Sequence, residues 1–155
     1  MAATSTNKQP LLVDRVLHYA INLDTAINDS PDVVGTNTAR LIVDATTSDG
    51  AILEDVYVIS RSTQAYKVNL YMSTGKDYLR PNEAVFVGTL NSATTKGDVV
   101  RWEEMPRCLA PVPQVGEDRF NRAFYIPKGY ALWAARQSST NANDGPILGC
   151  QGGWY

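Results

Sequence analysis

The sequence predicts an all-β protein, an antiparallel β-sandwich or jelly-roll-like barrel with an extended N-terminal arm. Three observations predict it: eight or so short segments alternate like strands, turn signals separate them, and no long segment has a convincing helical period. A chain of 155 residues holds one domain with a sizeable core. We therefore divide it into an arm over residues 1–13 and a single sandwich domain over residues 14–155.

The arm is polar and ends "KQPLLVD", where Pro10 disfavours helix for Gln9 and favours extended backbone. In "RVLHYAINL", Val16, His18 and Ala20 share one face and Leu17, Tyr19 and Ile21 the other, so both faces are fairly apolar. "DTAINDSPDVVGTNT" is turn chemistry, and "ARLIVDATT" follows as a second strand. After the tight turn at "SDG" comes "AILEDVYVIS", a third strand with room for a bulge. The cleanest alternation is "AYKVNLYMS": Tyr66, Val68, Leu70 and Met72 face one way, Lys67, Asn69, Tyr71 and Ser73 the other. That pattern predicts a half-buried strand. "AVFVGTL" supplies a fifth strand, and "VVRWEEMPR" has room for one helical turn before Pro106. "RAFYI" and "YALWAAR" predict a hairpin across "PKG", and "PILGCQ" a last strand before "GGWY".

Composition narrows the function. Charged residues are 19% and the net charge is −2, without the basic stripe that nucleic-acid binding needs. No apolar run approaches the roughly 18 residues that cross a bilayer. The start "MAATSTNKQP" lacks a charged-then-apolar signal, which predicts cytosolic synthesis. Cys108 and Cys150 are then expected as two reduced, partly buried thiols.

No catalytic, cofactor or metal constellation emerges. His18 is the only histidine and sits mid-strand, so a structural role is expected. Asp44, Asp49, Glu54 and Asp55 crowd one stretch but miss the calcium-loop spacing, and read as solvated turn carboxylates. Gly75-Lys76 lacks the earlier glycine of a phosphate loop, and Glu103-Glu104 has no partner for acid–base work. We expect a non-enzyme.

Aromatic surface remains. Tyr66 and Tyr71 fall on opposite faces of one strand, as do Tyr130 and Trp133. Large residues on both faces predict that the second face meets another sheet or another subunit. Trp154 and Tyr155 stand at a chain end, which needs a groove or a neighbouring subunit to receive it. The candidate contact residues are accordingly Pro10, Leu11, Leu12, Tyr130, Trp133, Trp154 and Tyr155. A sugar-binding module, stacking on Trp102, Trp133 and Trp154, is the alternative of another class.

From Gly50 onward the chain resembles a group of small phage virion proteins encoded among head and tail genes. The likeness rests on "GAILEDVYVISRSTQAYKVNLYMSTGKDYL", on "FYIPKGYALWAA" as a version of I-P-x-G-Y-x-L-x-A, and on the closing "CQGGWY". It spans residues 39–155 in pattern. "TSTNKQPLLVDR" and "ILGCQGGWY" look closest to versions from phages of marine cyanobacteria. Trp154 departs from the acidic residue many members carry there, and the family has no catalytic residues to transfer. The resemblance implies a virion component made in the host cytoplasm, foremost a capsid decoration or cement protein, with a collar, neck or tail component as the alternative. Its implied partners are the major capsid protein or neck and tail proteins, and further copies of itself in a homo-oligomer.

Overall fold

In the computed structural model, residues 15–28, 39–75, 77, 83–103, 124–137 and 143–154 are described. The expected arm over residues 1–13 lies outside them. Nine strands and no helix occur among the described residues: β1 Arg15–Asn22, β2 Arg40–Asp44, β3 Gly50–Ile59, β4 Lys67–Ser73, β5 Val85–Asn91, β6 Val99–Arg101, β7 Phe124–Pro127, β8 Ala131–Arg136 and β9 Ile147–Trp154.

They form two antiparallel sheets. The first has the order β1-β9-β3-β6, with β7 also paired to β3, and the second has the order β2-β8-β4-β5. β6 and β7 pair with opposite ends of β3, at Tyr57–Ile59 and Gly50–Leu53, and so share one place in the sheet. Counted that way, every connection crosses between the sheets except β4–β5. This is the eight-strand jelly-roll order that the sequence reading gave as one of its two forms.

Alternation builds the core. Leu17, Leu53, Val56, Val58, Leu148 and Cys150 of the first sheet face Val43, Val68, Leu70, Leu132 and Ala134 of the second. β3 bulges against β9 between Leu53 and Asp55, where the sequence left room for it.

Several expectations change. The far face of β4 is not solvated: Tyr71 lies opposite Trp133, and both pack with Ala131 and Ala135 in a second apolar cluster. Burial there is tolerated because the polar groups find partners. Trp133 Nε1 donates to the Gly75 carbonyl at 3.1 Å, and Thr89 Oγ1 to Asn69 Oδ1 at 2.8 Å. The start of "VVRWEEMPR" is a short strand over Val99–Arg101, because Val99 and Val100 pair with Ile59 and Val58, while residues 104–107, next to Pro106, lie outside the described residues. "RAFYI" and "YALWAAR" are not a hairpin: β7 pairs with β3 in one sheet and β8 with β2 and β4 in the other. The turn between them climbs from sheet to sheet at Gly129, whose φ of +87° is left-handed and suits glycine. The last strand also runs on through "GGW" instead of stopping at Gln151.

One end of the sandwich is tied by polar contacts to residues 22–28. Arg136 is fully buried at the end of β8. Its Nε donates to the Leu23 carbonyl at 3.0 Å and its Nη2 to the Asp24 carbonyl at 2.9 Å, with the Tyr66 ring 5.3 Å from its Cζ. The Asp24 carboxylate accepts from Arg61 Nη1 at 3.1 Å and from the Gly145 N–H at 2.7 Å. Burial pushes the Asp24 carboxyl up, but Arg61, Asn22 and the Gly145 N–H outweigh it and hold it below its ordinary 3.8. A carboxyl held low by folding stabilises fully above its unfolded value, and that stability is lost as pH falls through the folded value. Asp24→Asn is therefore expected to lower Tm at neutral pH, with the gap to the parent narrowing below about pH 4. A gap of equal size at pH 7 and at about pH 3 would contradict this.

Candidate interaction surface

Among the described residues, two openings lie along the sides of the sandwich, where the sheets part. On one side, Arg15, Val16, Leu17, His18 and Tyr19 of β1 and Trp154 of β9 face Leu41, Ile42, Asp44 and Thr47 across a cleft of about 500 Å³. On the other, Thr89, Leu90 and Asn91 of β5 face Val99, Val100, Arg101, Trp102 and Glu103 across about 560 Å³. Both are open troughs between sheet edges.

The first cleft is where the closing tryptophan sits. β9 presents Trp154 between Arg15 on β1 and Ala51 on β3. The half-buried ring packs on the main core, with Arg15 Cζ 5.5 Å from its centroid. Glycine at 152 makes this seat possible, because a Cβ there would land inside the Ile52 carbonyl oxygen across the bulge. The groove that the end of the chain requires is thus supplied by the chain's own domain as far as Trp154. Tyr155, Pro10, Leu11 and Leu12 lie outside the described residues.

The other candidate contact residues are not gathered there. Tyr130 is half-buried against the main core, and Trp133, only 4% exposed, lies in the second cluster on the far face of its sheet. Trp102 is buried too, lying over Gly88, where a Cβ would stand 2.6 Å from its Cζ2. Two of the three rings needed for sugar stacking are therefore packed inside the domain. Sequence reasoning passed over Val16 and Tyr19, which are 78% and 44% exposed. Their signal was there in β1, apolar on both faces.

The titratable groups are dispersed. His18 lies on the outer face of the first sheet, with Nε2 3.3 Å from Tyr57 Oη. The Tyr57 ring reaches it by lying across Gly149, where a Cβ would overlap the ring. Cys150 is buried on the opposite, core-facing side, so the sheet separates the two and no Cys–His pair forms. Asp44 accepts from the Thr46 N–H at 2.9 Å, Asp49 pairs with Lys128 at 2.8 Å, and Asp55 pairs with Arg101. Glu54 and Glu103 are exposed. Among the described residues no three His, Cys, Asp or Glu side chains converge on a metal position. Lys76, Glu104 and Cys108 lie outside them.

Cys150 is a free thiol, and burial pushes it up to about 12. In a Cys108→Ser chain, it is expected to resist thiol reagents at pH 8 until denaturant is added, since the thiolate is the reactive form. Native labelling as fast as that of a small thiol would contradict its burial.

No family model, curated protein or solved structure matches this chain.

Proposed function

We propose that the chain is a non-enzymatic structural protein of a bacteriophage virion, a capsid decoration or cement protein acting through repeated protein–protein contacts. A collar, neck or tail component is the variant of the same reading. One observation carries most weight: the two openings found among the described residues are lateral troughs along sheet edges, bordered by exposed apolar residues, and no metal-holding cluster forms among those residues. Troughs of this shape suit strands and side chains of neighbouring proteins better than a small substrate, which favours an enclosed, mostly apolar pocket. Two further features support it. The sequence patterns resemble phage virion proteins, and the jelly-roll order is one used in viral capsids, although lectins and cupins share it. A modest interface repeated by symmetry can hold a particle together.

The experiment is deletion of residues 1–12. The truncated chain should melt like the parent, since it keeps every described strand, β1 at Arg15–Asn22 included. Its occupancy on particles assembled in infected cells should fall. Full occupancy after the deletion would contradict a role for the arm.

A further inference from the structure

Among the described residues, strand β1 differs from every other outward-facing edge of the sandwich. An unpaired edge invites another strand, and proteins that do not want one blunt it with bulges, proline, charge or shortness. β2 has five residues and a bulge between Leu41 and Val43. β5 sits beside a register break at Leu70/Tyr71, β6 has three residues, and β7 has four and ends on Pro127. β1 has none of these devices beyond a single charge at its first residue, Arg15. It runs eight residues in unbroken register with β9, and "RVLHYAIN" holds no proline, glycine, lysine or carboxylate. Val16 and Tyr19 stand exposed along it.

We infer that β1 pairs antiparallel with β1 of a second copy, joining the two first sheets into one continuous sheet across a two-fold axis. Charge selects the partner and the direction. The strand's one fixed charge is Arg15, at its start. Parallel pairing would set two Arg15 side by side. Antiparallel pairing parts them by roughly 25 Å at about 3.3 Å per residue, well beyond a Debye length of about 8–10 Å. It also turns each Arg15 toward the partner strand's Asn22 end, where Asp24 lies.

Side-chain alternation then fixes the register. Core-facing residues must oppose core-facing residues for the two cores to lie on one side. Centring the axis on Tyr19 sets Leu17 opposite Ile21, His18 opposite Ala20 and Val16 opposite Asn22. Centring it on His18 would set two imidazoles face to face and leave Leu17 against Tyr19. With Tyr19 on the axis, the two clefts lined by Tyr19, Leu41 and Trp154 meet beneath it, and the paired Tyr19 rings close them. The inference shares with the proposed function only the premise of an oligomer, and the purified chain tests it whatever the particle does.

Sedimentation of the purified full chain should show a dimer. Tyr19→Lys, which sets two ammonium groups against each other, should weaken it by roughly 100-fold or more without changing the monomer's circular dichroism. Should that variant not fold, cysteine cross-linking decides. In a Cys108→Ser chain, Tyr19→Cys should give a covalent dimer on mild oxidation, because self-opposed strand residues lie within disulfide reach, whereas Val85→Cys on the exposed β5 edge should not. A monomer at all accessible concentrations would overturn the inference. So would a dimer that survives Tyr19→Lys, or one without the Tyr19→Cys cross-link. A dimer lost on deletion of residues 1–12 with β1 intact would overturn it in favour of the arm as the occupant.

Discussion

Arg136→Met is expected to destabilise the domain by about 3–5 kcal/mol, read as a lowered denaturation midpoint. Methionine fills much of the volume, so the loss is one of hydrogen bonds. The guanidinium serves carbonyls at Leu23, Asp24 and Gln137. Without it, the buried carbonyls among these lose a charged donor, at about 1–3 kcal/mol each. The backbone of the same residue bonds Ala26 and Asn28, at 2.7 and 2.9 Å, so residue 136 holds residues 23–28 through both its side chain and its main chain. Arg136→Lys should recover only part of the loss, because one ammonium cannot match the planar fork. A loss under about 1 kcal/mol for Arg136→Met would mean that the segment is held elsewhere.

Gly152→Ala should cost about 3 kcal/mol or more and loosen the end of β9, whereas Gly149→Ala should cost about 1 kcal/mol. The difference lies in what the added methyl meets. At 152 it meets the Ile52 carbonyl and the Leu53 Cα, backbone atoms locked in the β3–β9 ladder. At 149 it meets the far end of the Tyr57 ring, a half-buried side chain that can swing away, giving up its contact to His18. Amide exchange at Trp154 should quicken in Gly152→Ala, along with exposure of its indole fluorescence to quenchers. Equal stabilities for the two variants would contradict this account of the bulge.

These positions also show what the sequence discloses. The alternation of β3 and β4 was legible because a pleated strand sends neighbouring side chains to opposite faces, and Val56, Val58, Val68 and Leu70 all point inward. The crossing turn at "PKG" was not, because the partner of β7 is set by distant packing: Ile126 pairs with Ala51, far away in sequence. Nor could local pattern reveal Arg136 as buried, since one carbonyl it serves belongs to a residue 113 positions earlier. An arginine ending a strand ordinarily reads as solvated. For the candidate surface, the aromatic chain end was visible and its seat was not. Trp133, equally prominent in sequence, is spent on packing against Tyr71.

The proposed role stands or falls on whether copies of this chain touch their neighbours repeatedly in a particle. Electron cryo-microscopy of phage particles carrying a label on this protein measures that directly. Label repeated with the particle's symmetry, and sandwich edges in contact with adjoining chains, is the predicted picture. Particles without the label, or copies whose body and both ends meet no other chain, would contradict it.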